Sequence, residues 1–225
     1  MSHAPVISVR GEAVLEAPPE IARLSVHVRV QEGDRRTALD TLTANNRRCL
    51  DLLASYGDAV ERIETGDVYI TPLVKYRRRE GDIRAYQGTV WTKATVTDFT
   101  VLGELVTRLA DLERTSVDGP HWALRHDSPV HARAAEQAAH AAVDRARRYA
   151  AALGASLTDL IELADEGLTG RDDSSWMHSE VARGAYAGAA AAGSAEPDAL
   201  DLSPQTQTVT AAVVARFHST APDLA

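Results

Sequence analysis

The chain has a single cysteine, Cys49, so it can form no internal disulfide and cannot supply the thiolates of a structural zinc site. Hydrophobic packing has to hold it together unaided. No segment approaches the roughly 20 consecutive apolar residues of a membrane-spanning helix, so no membrane span is expected. The start, Met1-Ser2-His3-Ala4-Pro5 running into Val6-Ile7-Ser8-Val9, lacks the positive and apolar stretches of a secretory leader. The chain as given is therefore expected to stay in the cytoplasm, and a periplasmic or secreted location is open only to a chain whose leader has been removed. Positive charge is also short: 24 Lys and Arg stand against 32 Asp and Glu, a formal net charge of −8. That excludes a role built on sequence-independent phosphate binding, and no nucleic-acid partner is expected.

Also missing are a G-x-S-x-G elbow, an H-E-x-x-H pair, a phosphate-cradling glycine loop and a dinucleotide fingerprint. With no nucleophile beside a base, no catalytic residue and no cofactor are assigned, and the chain reads as a non-enzyme. What is present is a composition of 44% apolar and 25% charged residues over 225 positions, enough to bury a substantial core.

Periodicity supplies the architecture. From Ile21 to Gln31, Ala22, Leu24, Val26, Val28 and Val30 alternate with Arg23, Ser25, His27, Arg29 and Gln31, which predicts a strand with one dry and one wet face. Ile7, Val9, Gly11 and Ala13 alternate in the same way, and Pro18-Pro19 separates the two runs because proline cannot donate to a continuing ladder. A helix capped by Asp34 and stopped by Gly57 is predicted, with Leu39, Leu42, Cys49, Leu50 and Leu53 on its apolar face. Asn46 interrupts that face and is expected to hydrogen-bond a neighbouring strand or loop.

Strands are predicted over 63–76 and 83–97, joined by the charged tip Arg77-Arg78-Arg79-Glu80-Gly81-Asp82. A helix over 99–112 follows, capped by Asp98, and then a strand over 115–126. Ser128-Pro129 opens an alanine-rich helix whose stripe is Ala135, Ala138, Ala139, Ala142, Ala146, Tyr149, Ala150 and Leu153, ending at Gly154. Strands over 157–163 and 208–218 complete the series. The order contains two β-α-β-β units, roughly 21–98 and 115–218, and residues 21–126 also spell the ferredoxin-like split β-α-β-β-α-β arrangement. An α+β fold is expected, an antiparallel or mixed sheet covered by helices. It is read as a single domain, 1–225, with a long flexible arm at about 167–207.

Several short motifs, taken in order, resemble the SIMPL domain family, also known as domain of unknown function 541. They are Val9-Arg10-Gly11-Glu12, Pro19-Glu20-Ile21-Ala22, Ala38 with Asn45-Asn46, and Ile63-Glu64-Thr65 followed by Pro72 and Tyr76. Tyr86, Val90, Val96-Thr97-Asp98 with Leu102-Gly103, the alanine-rich helix to Gly154 and the strand from Thr208 to Phe217 continue the likeness along nearly the whole chain. The resemblance implies an α+β protein of a family often exported in bacteria, some members forming ring-like oligomers, with no established catalytic residue or cofactor. It further implies adaptor-like or stress-linked roles. The chain departs from the family pattern in lacking a leader and in carrying His121 and Trp122 where relatives usually have a glycine-rich apolar strand.

Three local features remain as candidate sites. His121, His126, Asp127 and His131 are the densest group of potential metal ligands, but strand alternation sets His121 and His126 on opposite faces, and no metal site is assigned. The tip formed by Lys75, Tyr76 and Arg77 to Arg79 reads as a charged guard against edge-to-edge aggregation. Trp176, Met177 and Tyr186 lie in a segment otherwise too small and polar to form a core, and are the candidate interaction residues. The leading expectation is an assembly or protein-interaction protein acting as a homo-oligomer, with a protein partner. The alternative is a small-molecule or metal binder using a cleft near Trp122 and His126.

Overall fold

The computed structural model describes residues 4–74, 83–165 and 200–224. The fold is α+β, as the periodicities predict. The described residues divide into two compact units, one made of 18–126 with 200–207, the other of 4–17, 127–165 and 208–224. Strand β1 (Val6–Ala17) belongs to the second unit, and the chain crosses Pro18-Pro19 into the first.

That first unit runs β2 (Ile21–Glu32), α1 (Arg35–Ala54), β3 (Val60–Val74), β4 (Ile83–Val96), α2 (Leu102–Ala110) and β5 (Thr115–Ala123). Its sheet has the order β3-β4-β2-β5, with β4 antiparallel to both β2 and β3, and β2 antiparallel to β5. This is the split β-α-β-β-α-β arrangement, in which β4 separates the two strands linked by α1. The dry face of β2 is buried in full: Ala22, Leu24, Val26, Val28 and Val30 pack in one cluster with Leu42, Cys49 and Leu53 of α1 and with Leu102, Leu105 and Leu109 of α2. Each buried Val or Leu contributes about 1.5–3 kcal/mol relative to exposure, so this cluster sets the register of the sheet.

The helix signals work as read. The Asp34 carboxylate accepts from the Thr37 amide, and Gly57 adopts a φ of +53° just beyond α1. Asp98 accepts from the Thr100 amide, but the turn from Phe99 to Val101 is a tight 3-10 turn, so α2 starts only at Leu102 and stops at Ala110. On α1 the buried row is Ala38, Leu42, Asn45, Cys49 and Leu53. Leu39 is exposed and Leu50 only half-buried, because the row that meets the sheet is narrower than the apolar residues suggest. The bond expected of Asn46 is not made: its buried Oδ1 has no hydrogen-bond partner among the described residues.

The second unit contains β1, α3 (Pro129–Ala152), β6 (Leu157–Asp165) and β7 (Gln207–Ser219), with strand order β1-β7-β6. The second repeat read from the sequence is thus divided: β5 lies beside β2, while β6 and β7 share a sheet with β1. The physical reason lies in partners, since β5 extends the long edge of β2, and β1 has β7 as its neighbour. Ser128 caps α3 by accepting from the Val130 amide, and Gly154 takes a φ of +65° at the end. The buried row of α3 is Val130, Ala134, Ala138, Ala142, Ala146 and Ala150, a strict four-residue repeat. Ala135, Tyr149 and Leu153 of the expected stripe are exposed, and Ala139 is half-buried. A single file of methyls suffices because the helix lies almost on the backbone of β1. Among the described residues no helix is long and apolar enough to cross a membrane.

The charged tip, with Lys75, Tyr76 and Arg77 to Arg79, lies outside the described residues, as does most of the expected arm. Its last part, 200–207, belongs to the first unit: Leu202 packs against that core, and the Leu200 carbonyl lies against Gly103 of α2.

Candidate interaction surfaces

The histidine-rich stretch does not converge. His121 Nε2 sits 3.0 Å from the Asp118 carboxylate on the surface of β5, while His126, Asp127 and His131 are exposed. Among the described residues no three His, Cys, Asp or Glu side chains are placed to hold a metal. Trp122 is half-buried, its ring edge-on to Phe99 at 4.9 Å, where it closes the side of the core. The buried Cys49 thiol has its pKa pushed up to about 11 by desolvation, which leaves it a core side chain and not a nucleophile.

In the second unit the strand order places β6 at an edge among the described residues, with β7 as its sheet neighbour. An edge strand presents unpaired amides and carbonyls along its open side, which soluble proteins usually guard with charge or proline. Asp159, Glu162 and Asp165 put charge on this strand, yet large apolar side chains stand exposed between them among the described residues. Leu160 is 56% exposed and Leu163 51%, both on positions paired with the buried Phe217 and Ala215 of β7. Their exposure has a simple cause: α3 packs chiefly over β1 and barely reaches β6. Tyr149 and Leu153 of α3 are exposed as well, as is Ile161 on the opposite face of β6. Glu162 makes a cross-strand charge pair with Arg216, at 3.3 Å.

In the first unit both helices cover one face of the sheet, and the opposite face carries the wet positions of β2. Cross-strand register places His27 opposite Trp91, Arg29 opposite Thr89 and Gln31 opposite Gln87. Tyr69 of β3 stands opposite Thr89 from the other side. The His27 and Trp91 rings meet at 4.5 Å in a T-shaped pair, and Trp91 remains 47% exposed. A hydrogen bond to Asp67 raises the pKa of the exposed Tyr69 hydroxyl. Beyond Arg29 lies a cavity of about 360 Å³ lined by Arg29, Val30, Gln31, Gln87 and Arg114. Neither Trp122 nor His126 lines it.

The alternation of β2 places His27, Arg29 and Gln31 on a wet face, but their grouping with Trp91 and Gln87 exists only once β2 and β4 are in register. The recoverable signal was the tryptophan at a polar-face position, an expensive residue to leave in water. The candidate interaction residues Trp176, Met177 and Tyr186 lie outside the described residues.

Comparison with known proteins agrees with the fold. The family model described as SIMPL, protein of unknown function (DUF541), matches residues 7–217. A 26 kDa periplasmic immunogenic protein of Brucella melitensis is 25% identical over 175 residues, covering 71% of this chain. The match spans 66% of that relative, just under two thirds of its length.

Proposed function

The chain belongs to the SIMPL family, and from that premise we propose that it is a non-enzymatic assembly protein that acts as a homo-oligomer joined through exposed sheet edges. The observation that carries this reading is the edge strand β6, with Leu160 and Leu163 exposed on positions whose β7 partners are buried. A second copy supplies what such an edge lacks, a strand for its backbone groups and apolar cover for its leucines. The reading includes a docking role for Trp176, Met177 and Tyr186. A stress-linked role is part of the same proposal.

Light scattering tests it. The full chain at micromolar concentration is expected to run as a defined oligomer, and Leu160→Lys with Leu163→Lys is expected to reduce it to a monomer of unchanged circular dichroism. A monomeric parent chain would overturn the proposal. Deleting 170–200 separates the contribution of the arm: an unchanged mass would remove the docking role and leave the edge alone. The Brucella melitensis relative is a periplasmic protein by name, which supports the exported alternative for this chain over the cytoplasmic one. Fractionation of cells producing the native gene product checks it, and recovery with cytoplasmic markers would refute export.

A further inference from the structure

The face of the four-stranded sheet opposite α1 and α2 is unlike the rest of the described residues. The chain as a whole is acidic, at −8, yet this face carries Arg23, Arg29 and Lys93 with no ion-pair partner among the described residues. Its carboxylates are Glu64, paired with Arg62 at 2.7 Å, Asp118, 3.0 Å from His121, and Asp67, bonded to the Tyr69 hydroxyl. At one corner, Arg114 reaches Glu32 at 2.6 Å and still lines the cavity together with Arg29 and two glutamines. Asp67, Asp118 and Glu64, the last opposite Lys93, leave this face nearly balanced, and the guanidiniums of Arg29 and Arg114 come together at the corner where the cavity opens.

The second element is aromatic. Trp91, buttressed edge-on by His27, offers its ring at the centre of the face, and Tyr69 stands exposed nearby on β3. An isolated tryptophan on an otherwise polar sheet surface provides a stacking platform for a planar ring. The spacing joins the two elements. Arg29 follows His27 by two residues on the same face of β2, a step of about 7 Å, comparable to the separation between base and phosphate in a nucleotide. The cavity beyond it, about 360 Å³, falls within the roughly 300–1,000 Å³ of small-molecule sites.

We propose that this face binds a nucleoside monophosphate, the base stacked on Trp91 beside His27 and the phosphate held by Arg29 and Arg114, with Gln31 and Gln87 donating amide hydrogens. Guanidinium forks suit phosphate oxygens in number and direction. A small ligand is favoured over a nucleic-acid strand because the acidic remainder of the chain repels a polyanion. The site is independent of the β6 edge, so failure of either proposal leaves the other standing.

Isothermal titration of the full chain with adenosine 5′-monophosphate tests it, with adenosine, inorganic phosphate and a six-residue oligoadenylate as parallel ligands. The monophosphate is expected to saturate, with adenosine and phosphate alone each at least about tenfold weaker, since each keeps one of the two elements. Trp91→Ala and Arg29→Ala, both exposed and expected to fold, should each weaken binding about tenfold or more, while Arg216→Ala in the other unit should leave it unchanged. Absence of saturation at roughly millimolar ligand, or affinities unchanged by Trp91→Ala and Arg29→Ala, would overturn the proposal. An oligoadenylate binding far more tightly than the monomer would replace the small ligand by a strand, and phosphate binding as well as the monophosphate would remove the stacking half.

Discussion

Gly11 of β1 lies directly against Ala142 of α3, so close that a β-carbon on Gly11 would stand 2.7 Å from the Ala142 methyl and overlap the Ala138 carbonyl. Helix and strand meet there at backbone distance, which explains why the buried row of α3 is alanine for five consecutive helical turns after Val130. Gly11→Ala is expected to force α3 off the sheet and to destabilise the chain by about 1–3 kcal/mol. Thermal unfolding checks it, and an unchanged midpoint would mean that the helix shifts at no cost.

Asn46 is expected to respond in the opposite direction. Its Oδ1 is buried with no acceptor role fulfilled among the described residues, and an unsatisfied buried polar atom costs about 1–3 kcal/mol. Asn46→Leu removes that atom and improves helix propensity by a few tenths of a kcal/mol. The unfolding midpoint in urea should rise at constant slope. A fall would show that the amide makes a contact worth more than its desolvation.

The caps predict an acid limb. In the folded chain the Asp34 carboxyl is held below its usual 3.8 by the Thr37 amide, and the Asp98 carboxyl by the hydroxyl and then the amide of Thr100. A carboxyl depressed on folding contributes stability that is complete above its unfolded pKa and is lost as pH falls through its lower folded value. Melting temperatures taken from about pH 5 to 2 should therefore fall less steeply in the Asp34→Asn, Asp98→Asn double variant than in the parent. Parallel curves would refute the assignment.

Cys49 should be silent. With its pKa raised to about 11 and its side chain buried, the thiolate fraction at pH 8 is about one in a thousand before access is considered. A thiol-specific disulfide reagent is expected to leave the native chain unlabelled and to react fully in denaturant. Prompt labelling of the native chain would mean that α1 opens locally.

Much of the fold could be read from the residues alone, and the reasons are local. Alternation in β2 is complete over five apolar positions, and Asp34, Asp98, Ser128, Gly57 and Gly154 each mark a helix end by a chemistry confined to a few neighbours. What could not be read depends on distant partners. Leu39, Tyr149 and Leu153 have apolar side chains at helical spacing, but whether they are covered is decided by how wide a strip the sheet offers. The sheet to which β5 belongs is set by the free edge of β2, and the pairing of His27 with Trp91 by a register between strands some 60 positions apart in sequence. The His121, His126 and His131 stretch attracted attention by density along the chain, a poor guide to convergence in space.

The strand order β1-β7-β6 bears on the timing of synthesis. Strand β1 is completed by β7, which begins about 190 residues after β1 ends, whereas residues 18–126 finish a whole sheet in between. During that interval β1 waits without its neighbour, and a nascent chain stalled before Gln207 holds one finished unit and one open strand.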